Sequence, residues 1–233
     1  MKFDLVDVFG AAPMRGNPLG VVRGGEGLCE AQMLALTRWL GFSETTFLLP
    51  PTDPRADYRV RIFCPRSELP FAGHPTLGSA HAWRAAGGTP KRPGAMVQEC
   101  GVGLVEVREE GERLAFCAPP LIRAGALSPE ELAQAARLAG VEVQAVVEAV
   151  HVANGPNWQL LRLRSAEDVL AARPLPSAPD GTDIGLAAPC APGGPADWEL
   201  RAFFTKNGGG FPADPDPGTL NTRGAPHPVA HGL

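Results

Sequence analysis

Gly73 and His74 stand side by side ahead of Pro75, inside the stretch Leu69-Pro-Phe-Ala-Gly-His-Pro-Thr-Leu-Gly-Ser-Ala-His-Ala-Trp83. Gly73 permits close approach to the backbone, and Pro75 suits the first residue of a helix, where no amide hydrogen is needed. Amides just inside such a helix face outward, and the macrodipole favours a negative ligand there. His74, at the mouth of the same site, can donate or accept a proton near neutral pH. The chemistry on offer is carboxylate binding with proton handling. The same residues also suit a plain Gly-His-Pro turn that opens an ordinary buried helix.

Glu44 is the second residue of interest. Its neighbours Phe42, Thr45, Thr46, Phe47, Leu48 and Leu49 predict a partly buried carboxyl. Burial raises a carboxyl pKa towards the working range of a general acid/base. Strand alternation could instead turn Glu44 to solvent. Asp216, in Asp214-Pro-Asp-Pro-Gly-Thr219, offers a further carboxylate within a generic Pro/Gly turn, and Asn17-Pro18 reads as a turn as well. His227 and His231 are four apart, a helical metal-ligand spacing, but Pro226 and Pro228 argue against a helix, so no metal is expected. A nucleophile elbow, a phosphate loop and a dinucleotide fingerprint are all missing, and no organic cofactor is implied.

The elements that must position these residues follow from periodicity. Strands are expected at 1–9, Leu19–Val22, Ser43–Leu49 and Tyr58–Phe63, the last with Val60 and Ile62 on one face and Arg59 and Arg61 on the other. Glu30–Leu40 reads as a helix closed by Gly41, and the helix after His74 should run to Ala86 before Gly87-Gly88. Two strands follow, Ala95–Glu99 and Gly103–Arg108, the latter leading into Leu114–Cys117. Ser128-Pro-Glu-Glu131 is a capping box that starts a helix ending at Gly140. Strands at Ala145–Ala153 and Trp158–Leu163, a short helix at Ala166–Ala172, a short strand at Ile184–Ala187 and a last strand at Trp198–Phe204 complete the reading. Strands in runs with an occasional long helix indicate α+β rather than a doubly wound sheet.

The chain has 233 residues, a formal net charge of -4 and no basic block, which argues against nucleic acid and anionic membrane surfaces as partners. No run reaches the roughly 18 apolar residues of a membrane span. The N-terminus alternates like a strand and lacks a signal-peptide core, so a cytoplasmic protein is expected. The five cysteines (Cys29, Cys64, Cys100, Cys117, Cys190) never form a Cys-x-x-Cys pair and read as small buried apolar residues.

Asp7-Val-Phe9, Gly16-Asn-Pro-Leu-Gly-Val-Val22, Phe42-Ser-Glu-Thr-Thr-Phe47 and Phe63-Cys-Pro-Arg-Ser-Glu-Leu-Pro-Phe-Ala-Gly-His-Pro-Thr76 together resemble the PhzF family of phenazine-biosynthesis-like isomerases and epimerases. The likeness is dense to about residue 105, diffuse from 120 to 200, and returns at Leu200-Arg-Ala-Phe203 and Asp216-Pro-Gly-Thr219. It implies a diaminopimelate-epimerase-like α+β fold of two similar lobes, each a mixed sheet curled around a central helix, with the active site in the cleft between them. The lobes would span 1–118, with Glu44 and Gly73-His74, and 119–233, with Asp216. The implied activity is a cofactor-independent isomerase or epimerase moving a proton on a small carboxylate substrate, working as a homodimer. By resemblance Glu44 is the proton shuttle, His74 and Asp216 assist it, and Gly73, Pro75 and Asn221 bind substrate. Leu220 stands where the family pattern has Gly, and only Thr222–Leu233 follow, so the second lobe is expected to be shortened at its C-terminus. The alternative is a truncated, catalytically impaired homologue that acts as a binding or interaction protein.

Overall fold

The computed structural model describes residues 1–10, 12–154, 157–193 and 196–205, which divide into two units, Met1–Pro120 and Leu121–Leu233. Asp216, Leu220, Asn221, His227 and His231, and with them the expectation of a shortened end, lie outside the described residues.

The first unit is a mixed sheet of strands β1 (Lys2–Val8), β2 (Asn17–Arg23), β3 (Thr45–Leu49), β4 (Tyr58–Phe63), β5 (Glu68–Leu69), β6 (Ala95–Cys100), β7 (Gly103–Glu110) and β8 (Arg113–Phe116), with helices α1 (Glu30–Leu40) and α2 (Gly73–Ala85). Its order is β1-β2-β3-β4-β6-β7-β8, with β5 paired to β4. The β2–β3 and β4–β6 pairs are parallel, and α1 and α2 lie within their connections. Helix α2 touches strands from both edges, β1 and β8, so the sheet curls around it. Small residues make that seat. A Cβ on Gly78 would stand 2.5 Å from Leu19 Cδ2 and 2.8 Å from Val8 Cγ2, and Ser79, Ala80 and Ala82 are buried beside it. On another face, Met33 of α1 packs with Val22, Phe47 and Phe63, the two rings meeting edge to face.

The second unit has strands β9 (Arg123–Ala126), β10 (Val146–Ala153), β11 (Gln159–Leu163), β12 (Asp183–Pro189) and β13 (Trp198–Phe204), with helices α3 (Pro129–Ala139) and α4 (Ala166–Ala171). The sheet runs β13-β12-β11-β10-β9, with β11–β12 parallel through α4 and the other pairs antiparallel. Ala135 and Leu138 of α3, Val169 of α4, and Leu161, Leu163, Ile184, Leu186 and Phe203 of the strands form its core. The α+β class is as expected, and no helix among the described residues is long and apolar enough to cross a membrane.

Several local expectations hold closely. Helix α1 ends at Gly41 with φ 77°, and α3 carries the full capping box and ends at Gly140 with φ 67°. Others are corrected. Asn17 and Pro18 open β2 rather than forming a turn. Pro18 lies beyond the β2–β3 pairing, which begins at Gly20, so its missing N–H removes no bond to β3. The β9 strand was not expected from Arg123-Ala-Gly-Ala126, whose four residues are all exposed and carry no alternation. Of the cysteines only Cys64 is buried. Cys29 and Cys117 are exposed because they sit before α1 and after β8, where the chain leaves the sheet.

Candidate active site

Helix α2 begins two residues earlier than Pro75 would suggest. Ala72 is its N-cap, with φ -154° and ψ 142°, and Gly73, His74 and Pro75 are its first three residues. Proline is tolerated there because no amide of the first turn has an intrahelical carbonyl to meet. The correction moves the outward-facing first-turn amides onto Gly73 and His74 themselves. Ala72 offers no side-chain cap, so its side chain does not compete for those N–H groups. Gly73 also makes room for a neighbour, since a Cβ there would stand 3.2 Å from Phe116 Cζ.

His74 faces two residues from other elements. Asn17 Nδ2 lies 3.4 Å from His74 Nδ1, and Glu44 Oε2 lies 3.5 Å from His74 Nε2. With the Asn17 amide donating, Nδ1 accepts and the neutral imidazole carries its proton on Nε2, on the Glu44 side. Both side chains are sheltered, with His74 11% and Glu44 17% exposed, as expected for Glu44. Burial holds the His74 imidazole below its ordinary value of 6.5, and the Glu44 carboxylate pulls in the other direction.

Asn17 reaches His74 because of the turn before it. Asp7 accepts from the N–H groups of Met14 and Gly16, each at 2.8 Å, and clamps a loop in which Phe9 and Met14 take positive φ. A Cβ on Gly16 would lie 2.2 Å from the Val8 carbonyl oxygen, so only glycine fits.

Among the described residues, the buried side-chain polar atoms without a hydrogen-bond partner are Ser43 Oγ, Glu44 Oε2, Thr45 Oγ1 and His74 Nε2. Glu44 and His74 are within ion-pair distance yet not aligned for a hydrogen bond. Buried polar groups left unmade cost about 1–3 kcal/mol each; three of these atoms lie on consecutive residues, and the fourth, His74 Nε2, is 3.5 Å from Glu44 Oε2. The neighbouring Thr46 is different, since its hydroxyl accepts from Ser79 at 2.9 Å. Sequence reasoning missed Ser43 and Thr45, because nothing in Ser43-Glu-Thr-Thr46 tells a satisfied hydroxyl from an orphaned one. It passed over Asn17 by reading it as a turn.

The structure therefore brings Gly73, His74, Pro75 and Glu44 together in the first unit and adds Asn17, with the orphaned hydroxyls of Ser43 and Thr45 on either side of Glu44 in the chain. Among the described residues, no group of three or more His, Cys, Asp or Glu could hold a metal ion. Glu44 and His74 thus meet beside a helix N-terminus that has no side-chain cap, in an α+β unit whose sheet curls around that helix.

The chain belongs to the phenazine biosynthesis-like protein family (PhzC-PhzF), which matches it over residues 6–220. It is 35% identical over 176 residues to antisense-enhancing sequence 1 of Schizosaccharomyces pombe, a match covering 72% of this chain and 60% of that protein. It is 46% identical over 78 residues to the trans-2,3-dihydro-3-hydroxyanthranilate isomerase of Pseudomonas chlororaphis, covering 34% of this chain and 28% of that enzyme. A PhzF-family phenazine biosynthesis protein from Bacillus anthracis has a similar fold, with a TM-score of 0.66 at 22% identity over 88% of this chain and 73% of that one. The chain thus spans less than two thirds of the length of these two curated relatives.

Proposed function

We propose that this chain is an isomerase that moves a proton between carbons of a small carboxylate-bearing metabolite without a cofactor. The observation that carries the reading is the pair of buried, unpartnered atoms Glu44 Oε2 and His74 Nε2, 3.5 Å apart at the start of α2, with the unpartnered hydroxyls of Ser43 and Thr45 on either side of Glu44 in the chain. A relative 46% identical over 78 residues is a trans-2,3-dihydro-3-hydroxyanthranilate isomerase, and that compound is a carboxylate of this kind.

In this reading the substrate carboxylate sits on the Gly73 and His74 amides, where the helix dipole favours its charge. Pro75 contributes shape and no donor. Glu44 removes a proton from carbon, and the electron pair left behind delocalises towards the carboxylate, where the amides stabilise it. Glu44 then returns the proton to another carbon, so no electron or proton is gained overall. The Nε2–H of His74 steadies the Glu44 carboxylate and can relay a proton; Asn17 keeps that tautomer. Asp216 would supply a second acid and Asn221 a further hydrogen bond to the substrate. A homodimer is part of the same proposal and is read by sedimentation.

The test is turnover of trans-2,3-dihydro-3-hydroxyanthranilate in heavy water. Deuterium should enter the product at carbon, and Glu44→Gln should lower the rate by about 10²–10⁴-fold. Full exchange in Glu44→Gln removes Glu44 from the mechanism. No turnover by the native chain, with the substrate bound, favours a binding protein that has kept the family fold.

A further inference from the structure

The first turn of α2 is held from behind. Thr76 donates its hydroxyl to the carbonyl of Ala72, the N-cap residue, at 2.9 Å. A hydroxyl has one hydrogen, so Thr76 Oγ1 can only accept from Gln98, whose Nε2 lies 3.0 Å away. That fixes the Gln98 amide, with Oε1 turned to the Tyr58 hydroxyl, which donates to it at 3.3 Å. Burial pushes the Tyr58 phenol up, so it stays protonated and remains a donor. The Tyr58 ring stacks on Trp83 of α2 at 5.1 Å between centroids. Tyr58 and Gln98 are register partners across β4 and β6, and both are buried with Thr76. Three hydrogen bonds thus run in one direction, from β4 through β6 into the start of the helix.

The tether grips a carbonyl and leaves the amides alone. Helices α3 and α4 are capped by Ser128 and Ser165, whose side chains accept from first-turn amides. On α2 the third position is Pro75, which has no N–H, so a capping side chain at Ala72 could accept only from His74 and would compete with a ligand for that amide. Holding the Ala72 carbonyl through Thr76 fixes the turn and keeps its N–H side open. An amide buried at position 98, two residues from the apolar Met96 on the same strand, is costly unless hydrogen-bonded. Packing alone would be served by an apolar residue.

We propose that Gln98 is a positioning residue, acting through Thr76 and oriented by Tyr58 to hold the Gly73-His74 turn in register with Glu44. Its catalytic consequence rests on the isomerase reading, whereas the placement of His74 does not.

The two are separated by following His74 itself. Histidine-labelled protein is titrated by NMR, with the His74 signal assigned from His74→Asn, alongside turnover. Thr76→Val and Gln98→Met should shift the His74 midpoint upward as water reaches the loosened turn, while Thr76→Ser, which keeps the hydroxyl, should match the native curve. If the isomerase reading holds, the first two variants also lose about 10- to 100-fold in kcat with a smaller change in KM. A native His74 curve in folded Thr76→Val and Gln98→Met overturns the proposal, whatever the turnover. Should both fail to fold, Tyr58→Phe decides. It keeps the ring on Trp83 and frees the Gln98 amide to rotate, so an unmoved His74 curve there also overturns the proposal. Loss of turnover in the native chain with the His74 shifts intact would sink the isomerase reading and leave the tether standing.

Discussion

Each unit sets a histidine beside a glutamate near the start of a helix, and the two pairs are finished differently. In the second unit His151 Nε2 lies 3.3 Å from Glu131 Oε2. The Glu131 carboxylate also accepts from the Ser128 N–H at 2.9 Å and from Arg123 at 3.0 Å, and Ser128 caps the Glu131 amide in return. Those hydrogen bonds, led by the one from Ser128, hold the Glu131 carboxyl below its ordinary range. In the first unit Glu44 and His74 are 3.5 Å apart without a hydrogen bond, beside an uncapped helix. A carboxylate surrounded by donors has committed its lone pairs to the fold. One that is buried and unmatched keeps them for a ligand, and residue type and spacing do not distinguish the two.

Breaking each pair should therefore do different things. Glu44→Gln should lower isomerisation by about 10²–10⁴-fold, while Glu131→Gln leaves kcat native in the same stopped assay. An equal loss in both would erase the distinction. Gly78→Ala forces a methyl against Leu19 and Val8, and should cost about 1–3 kcal/mol by denaturant unfolding as overpacking. The capping contrast is smaller and reverses sign. Ser128→Ala should cost about 1 kcal/mol with activity unchanged, whereas Ala72→Ser should hold or gain stability and weaken carboxylate binding.

The smallest effect is on pH dependence. Because His74 titrates below 6.5 in the fold, the unfolded chain takes up its proton first as pH falls. The associated stability is present in full above the ordinary value and is lost as pH drops through the depressed one. Denaturant midpoints from pH 7.5 to 5 should fall more steeply in the native chain than in His74→Asn.

Much of the frame was legible beforehand. Tyr58–Phe63 alternates, Ser128-Pro-Glu-Glu131 caps, and Gly41 and Gly140 close helices, because each feature is decided within a few residues. The two-residue strand β5 was not legible because it is too short to show a period, and the exposed strand β9 because pairing with β10, over twenty residues on, creates it and its own side chains carry no pattern. At the site, Gly73, His74 and Glu44 announced themselves by type. Pro75 misled by two positions, because any of the first three helical residues can lack an amide. Asn17 was hidden, since its role depends on the Asp7 clamp and on a histidine 57 residues away. The orphaned hydroxyls of Ser43 and Thr45 show only when their surroundings are known.

The central claim is that the first pair waits for a ligand and the second does not. Titrating 3-hydroxyanthranilate, a stable aromatic carboxylate close in shape to the proposed substrate, into histidine-labelled protein tests it directly by NMR. His74 signals should move in a saturable way while His151 stays still. A silent His74, or a His151 that moves as far, would contradict the account.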